Sequence, residues 1–394
     1  MYKKILFCLD NSDCANRGIE LGVSIASTSG AQLTGCHVYA AKLHNMRFQQ
    51  MESGLPPQYQ KEEELKKQRE VHDTLITKGL QIISDSYVTV LQARAAGAGL
   101  SAESVSREGK NFEELVSEAS EGGYDLVVIG ALGLGRVGSS RVGSVCERVV
   151  RRLKTDILVS RGSAPAGGSK ITVAVDGSAS SFGGLLTAIE LSKVFDCEVE
   201  AVSVFDPDYH YKAFRSIAGV LTKEAGALFK FQEQEKLHEE VIDSGLAKIY
   251  RGHLKTAETL AGENGCRITT KLLSGKPYDE LIKHVAKTSP FLLVMGKTGF
   301  HSTPTLDIGS NTENCLREVS AHLLISQREF VPSSRKEEGS KPLQWSPEAA
   351  ATLEKVPPFA RGIVKNMVEE SARKADLDEV TLELMMKVRK KMDG

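Results

Sequence analysis

Two stretches of this 394-residue chain place glycine and serine at one fixed spacing, with cationic side chains among them. The first runs Gly130-Ala131-Leu132-Gly133, nine residues, then Gly143-Ser144-Val145. The second runs Gly296-Lys297-Thr298-Gly299, nine residues, then Gly309-Ser310-Asn311. Glycine lets the backbone take positive φ and lets an anion approach the peptide closely. A helix N-terminus offers unpaired N–H groups and a partial positive charge. Together these are the parts of a phosphate cradle. A plainer reading exists for the serines. Ser144-Val145-Cys146-Glu147 and Ser310-Asn311-Thr312-Glu313 both spell a Ser-x-x-Glu capping box, which needs no ligand. A cap does not account for two further glycines at fixed distances upstream, twice.

The two loops differ in charge. The first carries Arg136 and Arg141 and no acid, which favours a triphosphate, although arginines in a loop are also often just solvated. The second carries Lys297 and His301 but also Asp307, two residues before Gly309. A carboxylate repels phosphate unless a cation such as Mg²⁺ bridges them. The first loop is therefore the expected stronger site. Three similar patterns fail on context. Gly133-x-Gly135-x-x-Gly138 spells a dinucleotide fingerprint, but it follows a late strand and opens no helix. Gly296-Lys297-Thr298 looks like the end of a P-loop, but Phe291 stands where that motif requires glycine. Gly109-Lys110 and Gly275-Lys276 lack the following Ser or Thr.

The elements that position these loops repeat at a period of about 166 residues, which is domain size. Lys4 to Ser12 matches Lys170 to Ser178, Gly109 to Leu115 matches Gly275 to Leu281, and Asp125 to Gly130 matches Phe291 to Gly296. Thr155 to Ser160 matches Ala321 to Ser326. Continuous apolar runs predict strands near 3–9, 31–38, 101–107, 124–129 and 156–160, and near 170–175, 197–204, 266–272, 290–295 and 321–326. Their alternation with helical stretches predicts parallel α/β sheets. About 60 residues separate the second and third strands of each copy, too many for a bare loop. Charged, helix-forming sequence at Glu62 to Leu80 and Phe231 to Ala261 predicts a helical excursion there, in the manner of a hairpin. Asp10 and Asp176 end the first strands, where a carboxylate can accept from ribose hydroxyls or serve a turn or helix cap.

Bulk composition narrows the class. Apolar residues make up 41% and charged residues 26%, which suits a soluble globular protein of two or three domains. A net charge of −1 offers no excess of cation for a nucleic-acid backbone. No apolar run approaches the roughly 20 residues needed to span a bilayer. Asp10, Asp13 and Arg17 interrupt the N-terminal run too early for a signal peptide. Seven scattered cysteines without a Cys-x-x-Cys fit reduced thiols in the cytoplasm. Nine scattered histidines show no metal-binding spacing.

Gly-x2-Gly-x9-Gly-Ser, an early strand ending in Asp and a last strand such as Thr155 to Ser160 together resemble the universal stress protein family, twice over. The expected domains are 1–163 and 170–328. The resemblance implies flavodoxin-like parallel sheets of strand order 3-2-1-4-5 and binding of ATP or another adenine nucleotide. Carried onto this chain, it puts Leu9 and Asp10, or Val175 and Asp176, at the adenine and ribose end. Val38, or Val204, walls the adenine. Gly130, Gly133, Gly143, Ser144 and Val145, or Gly296, Gly299, Gly309, Ser310 and Asn311, hold ribose and phosphates. It also implies that 156–160 and 321–326 pair, making an internal pseudo-dimer; a homodimer is open.

Phosphoryl transfer needs a placed metal ligand, a base and charge clamps. None stands out beyond the loops, so binding and signalling comes first, with slow ATP hydrolysis or another nucleotide-dependent enzyme or electron-transfer scaffold as the rival. After a polar stretch from Pro332 to Pro342, residues 344–394 predict three short helices. Trp345-Ser346-Pro347-Glu348-Ala349 has Ser as N-cap and Pro at N1. With Val356-Pro357, Phe359, Arg361, Glu369, Ala372 and Val380-Thr381-x-Glu383, this tail resembles the C-terminal domain of a light-independent protochlorophyllide reductase subunit. It has no cysteine for an iron–sulfur cluster and no counterpart of the catalytic part. It reads as a docking element for an unknown partner, or as a cover for its own chain.

Overall fold

The computed structural model describes residues 1–138, 140–161, 169–207, 243–303, 305–332 and 343–354. Beyond these it describes 356, 361, 364–365, 368–369, 371–372, 375 and 377–392. The first repeat runs β1 (Lys4–Cys8), α1 (Asp13–Ser29), β2 (Gln32–Tyr39), α2 (Ala41–Met51), α3 (Glu62–Gly97) and β3 (Ala102–Glu108). It continues with α4 (Asn111–Glu121), β4 (Leu126–Gly130), α5 (Ser144–Arg152) and β5 (Asp156–Ser160). The second runs β6 (Lys170–Ala174), α6 (Ala179–Phe195), β7 (Glu198–Phe205), α7 (Asp243–Glu263) and β8 (Ile268–Ser274). Then follow α8 (Pro277–Thr288), β9 (Leu292–Gly296), α9 (Ser310–Glu318) and β10 (His322–Ser326). Every expected strand is present, displaced by at most two residues.

All ten strands join one sheet in the order β3-β2-β1-β4-β5-β10-β9-β6-β7-β8. Each repeat therefore has the flavodoxin-like order 3-2-1-4-5. Pairing is parallel within each repeat. It is antiparallel where β5 meets β10, with Leu323 opposite Val159, Leu324 opposite Leu158 and Ile325 opposite Ile157. All ten residues of these two strands are buried. Two edges that would otherwise invite association are thus closed against each other.

Helices cover both faces. One core gathers Phe7, Ile19 and Leu91 with Leu185, Leu254 and Leu324; the other gathers Leu6, Leu115 and Val149 with Leu281, Leu316 and Ile325. Each core takes residues from both repeats, so Met1–Pro332 forms one compact unit and Ser333–Gly394 another. The junction of the repeats is a boundary of sequence and not of packing. Of the expected linker 162–169, only Ser169 lies among the described residues. Continuous burial holds for the inner strands and not for β3 (AESVSRE) and β8 (ITTKLLS), which are partly exposed. These outermost strands have a neighbour on one side only.

The excursion in the first repeat is a helical hairpin, as expected, but longer. The 36-residue α3 opens on Glu62, Glu63 and Glu64, whose charges suit a helix N-terminus. Its C-terminal half buries Ser84, Val88, Leu91 and Ala95, one stripe at helical spacing. Its N-terminal half packs on α2, where His72 stacks on Phe48 at 4.2 Å and its Nδ1 donates to Asn45 Oδ1 at 3.1 Å. In the second repeat the described part is α7; residues 208–242, including Phe231, lie outside the described residues.

The tail unit contains α10 (Pro347–Glu354) and α11 (Leu382–Met392), with helical residues around Val364, Val368 and Ala372 between them. Ser346 Oγ accepts from Ala349 N at 3.2 Å, the expected N-cap. A two-residue parallel ladder was not expected: β11 (Gln344–Trp345) pairs with β12 (Glu379–Val380). Ala349, Val368, Ala372, Val380 and Met385 form its small core, and Trp345 Nε1 donates to Glu369 Oε1 at 3.1 Å.

Candidate functional site

The turn after β1 is built around one carboxylate. Asn11 takes φ 56°, a left-handed value that an asparagine tolerates. Asp10 Oδ1 accepts from Ser12 N at 3.0 Å and from Ser12 Oγ at 2.6 Å. Ser12 Oγ in turn accepts from Ala15 N at 3.2 Å as the N-cap of α1. The turn role expected for Asp10 is thus carried by one oxygen. The other faces Gly133: a Cβ added there would stand 2.6 Å from Asp10 Oδ2. Among the described residues none donates to that oxygen. The second repeat copies the turn, with Gly177 at φ 86° and Asp176 Oδ1 accepting from Ser178 N and Oγ at 3.0 and 2.5 Å. It differs at the outer oxygen, because Phe300 N donates to Asp176 Oδ2 at 2.9 Å.

The motif glycines work by space and not by positive φ. The positive-φ residues include none of Gly130, Gly133, Gly143, Gly296, Gly299 and Gly309. Gly130 lets β4 pass the start of α1, since a Cβ would stand 2.9 Å from Ala15 N. Gly296 does the same against Ser180 Oγ at 2.7 Å. Gly299 mirrors Gly133, its would-be Cβ 2.6 Å from Asp176 Oδ2. Gly143 and Gly309 fold back on the strand end, donating to Ala131 O at 2.7 Å and Lys297 O at 2.9 Å.

The capping-box reading is corrected. The N-caps of α5 and α9 are Gly143 and Gly309, extended residues without a side-chain cap. Ser144 and Ser310 are each the first helical residue, exposed to solvent. The serine that would have capped the helix is shifted one place inward, because the glycine's own close approach to the strand end takes the cap position. The opening N–H groups of α5 therefore have no side-chain acceptor. Val145 packs half-buried against the core beneath, and Asn311, its counterpart, is exposed.

Three charges assigned to the loops go elsewhere. Arg141 pairs with Glu318 at the end of α9. Asp307 pairs with Arg151 of α5, Nη1 to Oδ2 at 3.1 Å. Lys297 turns away from its loop and donates to Arg151 O at 2.9 Å and Leu153 O at 2.7 Å. It is 7% exposed, and burial lowers its pKa to about 8. Arg136 is exposed on the first loop, and its side chain has no hydrogen-bond or ion-pair partner among the described residues. These pairings are reciprocal across the β5–β10 seam. Arg161 caps α9 by donating to Val319 O at 2.7 Å and to Leu316 O, while Gln327 Nε2 donates to Leu153 O at 3.3 Å. Asp156 accepts from Gln327 N at 2.6 Å and Tyr2 Oη at 2.7 Å. None of these residues carried a signal in sequence, since each acts on a carbonyl, amide or carboxylate more than 150 residues away.

The four apolar residues expected at the adenine end are covered by the chain: Leu9 is 5%, Val38 6%, Val175 2% and Val204 7% exposed. Leu9 and Val175 belong to one core, Val38 and Val204 to the core on the opposite face of the sheet. Among the described residues no cluster of His, Cys, Asp and Glu could hold a metal ion, and no helix is long and apolar enough to cross a membrane.

The universal stress protein family model matches residues 1–161 and again 169–327. The model of the proto-chlorophyllide reductase 57 kD subunit matches residues 345–389. A universal stress protein of Methanocaldococcus jannaschii is 28% identical over 159 residues, 40% of this chain and 82% of that protein. The universal stress protein YxiE of Bacillus subtilis is 24% identical over 161 residues, 41% of this chain and all of that protein. The crystal structure of a universal stress protein from Archaeoglobus fulgidus superposes with a TM-score of 0.51 at 15% identity, over 83% of this chain and 96% of that one.

Proposed function

Because the chain belongs to the universal stress protein family across both of its α/β repeats, we propose that it binds an adenine nucleotide, ATP foremost, and acts through nucleotide-dependent conformation and docking instead of rapid turnover. One observation carries this reading. In the first repeat an uncapped helix start and a carboxylate with a free outer oxygen lie on either side of Gly133. The N–H groups at Ser144 and Val145 suit phosphate oxygens, and Asp10 Oδ2 suits a ribose hydroxyl. Arg136 supplies an exposed positive charge on the same loop.

The second repeat is the weaker site in this reading. Its aspartate is already satisfied by Phe300 N, and its lysine is committed to the end of α5. Asp307 is held by Arg151, so Mg²⁺ is not required to offset it. The tail is the docking element for a protein partner. All seven cysteines are free and five are buried, which supports a reducing, cytoplasmic setting for a stress-response role. Mass spectrometry of the ligand retained on native purification, with a turnover assay, tests the reading. It expects one adenylate per chain and hydrolysis near background. Rapid turnover, or a retained ligand without a phosphate, overturns it.

A further inference from the structure

We infer that His253 is a built-in occupant of the base position in the second repeat, closing that half to nucleotide while the first stays open. The inference rests on the glycine loops being nucleotide sites and says which of them can be filled. A base entering either half must lie over the carboxyl ends of the first two strands, beside the aspartate that would take the ribose. In the second repeat three rings already cross that place. Phe205, the last residue of β7, meets Tyr250 of α7 with ring centroids 6.3 Å apart. Tyr250 meets His253 at 5.4 Å. His253 lies on Gly177, the residue after Asp176, so closely that a Cβ there would stand 2.5 Å from its Cε1 and Nε2.

The glycine is what admits the ring. The first repeat has Asn11 at this position, with a Cβ and exposed to solvent. It also puts its rings elsewhere. Tyr87 occupies the place in α3 that His253 occupies in α7, but packs edge-on against His37 at 4.9 Å, two residues short of the strand end at Tyr39. Ser84, in the place of Tyr250, bonds His37 Nδ1 at 2.6 Å. The bulk therefore sits one layer deeper in the first repeat, and among the described residues neither Tyr87 nor Ser84 has a contact with the turn at Asn11 like that of His253 with Gly177.

His253 is held by fit and not by polar bonds. Its Nδ1 is buried and has no hydrogen-bond partner among the described residues. Asp176, the acid whose charge acts on it, is engaged at both oxygens by Ser178 and Phe300. Burial holds the imidazole below its usual pKa against the pull of Asp176, so the ring is neutral, and among the described residues no ion pair locks it in place. A ring with an unsatisfied nitrogen and no ionic tether is one that can be removed or displaced.

The test is the stoichiometry of ATP binding to the full-length chain by isothermal titration calorimetry. Wild type binds one ATP per chain. His253→Ala binds two, and His253→Phe, which keeps a ring over Gly177, stays at one. Gly143→Leu, which fills the first cradle, binds none, and Gly143→Leu with His253→Ala regains one. The inference is overturned if wild type binds two, or if His253→Ala stays at one while circular dichroism shows it folded. In both cases the nucleotide reading itself survives. If no variant binds ATP, both fall together.

Discussion

Lys297 Nζ of the second repeat donates to Leu153 O of the first at 2.7 Å, and to Arg151 O at 2.9 Å. The last carbonyls of a helix have no partner within it, and a cation is the best donor for them. A residue that sequence places in a ligand loop is thus a helix cap for the other repeat. Lys297→Met should take this donor from Arg151 O and leave Leu153 O only the longer bond from Gln327 Nε2, at a cost of about 1–3 kcal/mol in urea unfolding. The pH dependence has a definite sign. Burial holds the folded pKa at about 8 against an ordinary 10.5, so between these values the unfolded chain binds the extra proton. The stability of wild type relative to Lys297→Met should rise from pH 8 to 10.5 and fall as pH drops back through 8. A flat difference would show that the amine is not held down by burial.

Gly133 and Gly135 separate crowding from flexibility. A Cβ at Gly133 would lie 2.6 Å from Asp10 Oδ2, whereas one at Gly135 would meet nothing within 4 Å. Gly133→Ala should weaken ATP binding at least about tenfold, near 1.4 kcal/mol, by displacing the carboxylate. Gly135→Ala should bind as wild type does. Equal loss in both variants would point to loop stiffness instead.

Ser144→Asp should move stability and binding in opposite directions. A negative charge in the first turn of α5 complements the helix dipole by about 0.5 kcal/mol. The same charge occupies the phosphate position. The expected outcome is an unchanged or raised melting temperature with ATP affinity lost. Retained affinity would place the phosphates away from this helix.

Arg151, Glu147, Arg317 and Glu313 form a pseudo-symmetric ion-pair network across the seam. Arg317 Nη2 lies 2.5 Å from Glu147 Oε1 and 2.6 Å from Glu313 Oε1, and Arg151 pairs with Glu313 and, at 3.1 Å, with Asp307. These groups are partly exposed, so Arg151→Ala should cost only about 1 kcal/mol, and less as salt is raised. A cost unaffected by salt would mean that lost packing and not charge is being measured.

Much of the candidate site's local geometry was legible because its signal is local. A glycine at fixed distance from a strand end, an aspartate closing a first strand and a serine after a glycine are all contained in a few residues, and the repeat wrote them twice. What misled was the same locality. Ser144 and Glu147 have capping-box spacing, but Gly143 N–H reaches Ala131 O and starts the helix one residue earlier. Arg141 and Lys297 lie in loops that suit phosphate, yet their partners, Glu318 and Leu153, come from the other repeat.

Sequence by itself determined the two α/β repeats, the strand positions within two residues and the place of the glycine loops, because hydrophobic period and turn chemistry act over neighbouring residues. Tertiary structure alone decided which charges remain for a ligand, which aspartate oxygen is free and which repeat has a ring over its strand end. Those depend on the antiparallel register of β5 against β10 and on how deep α3 and α7 set their side chains. Both are relations between residues distant along the chain, and no spacing within either repeat encodes them.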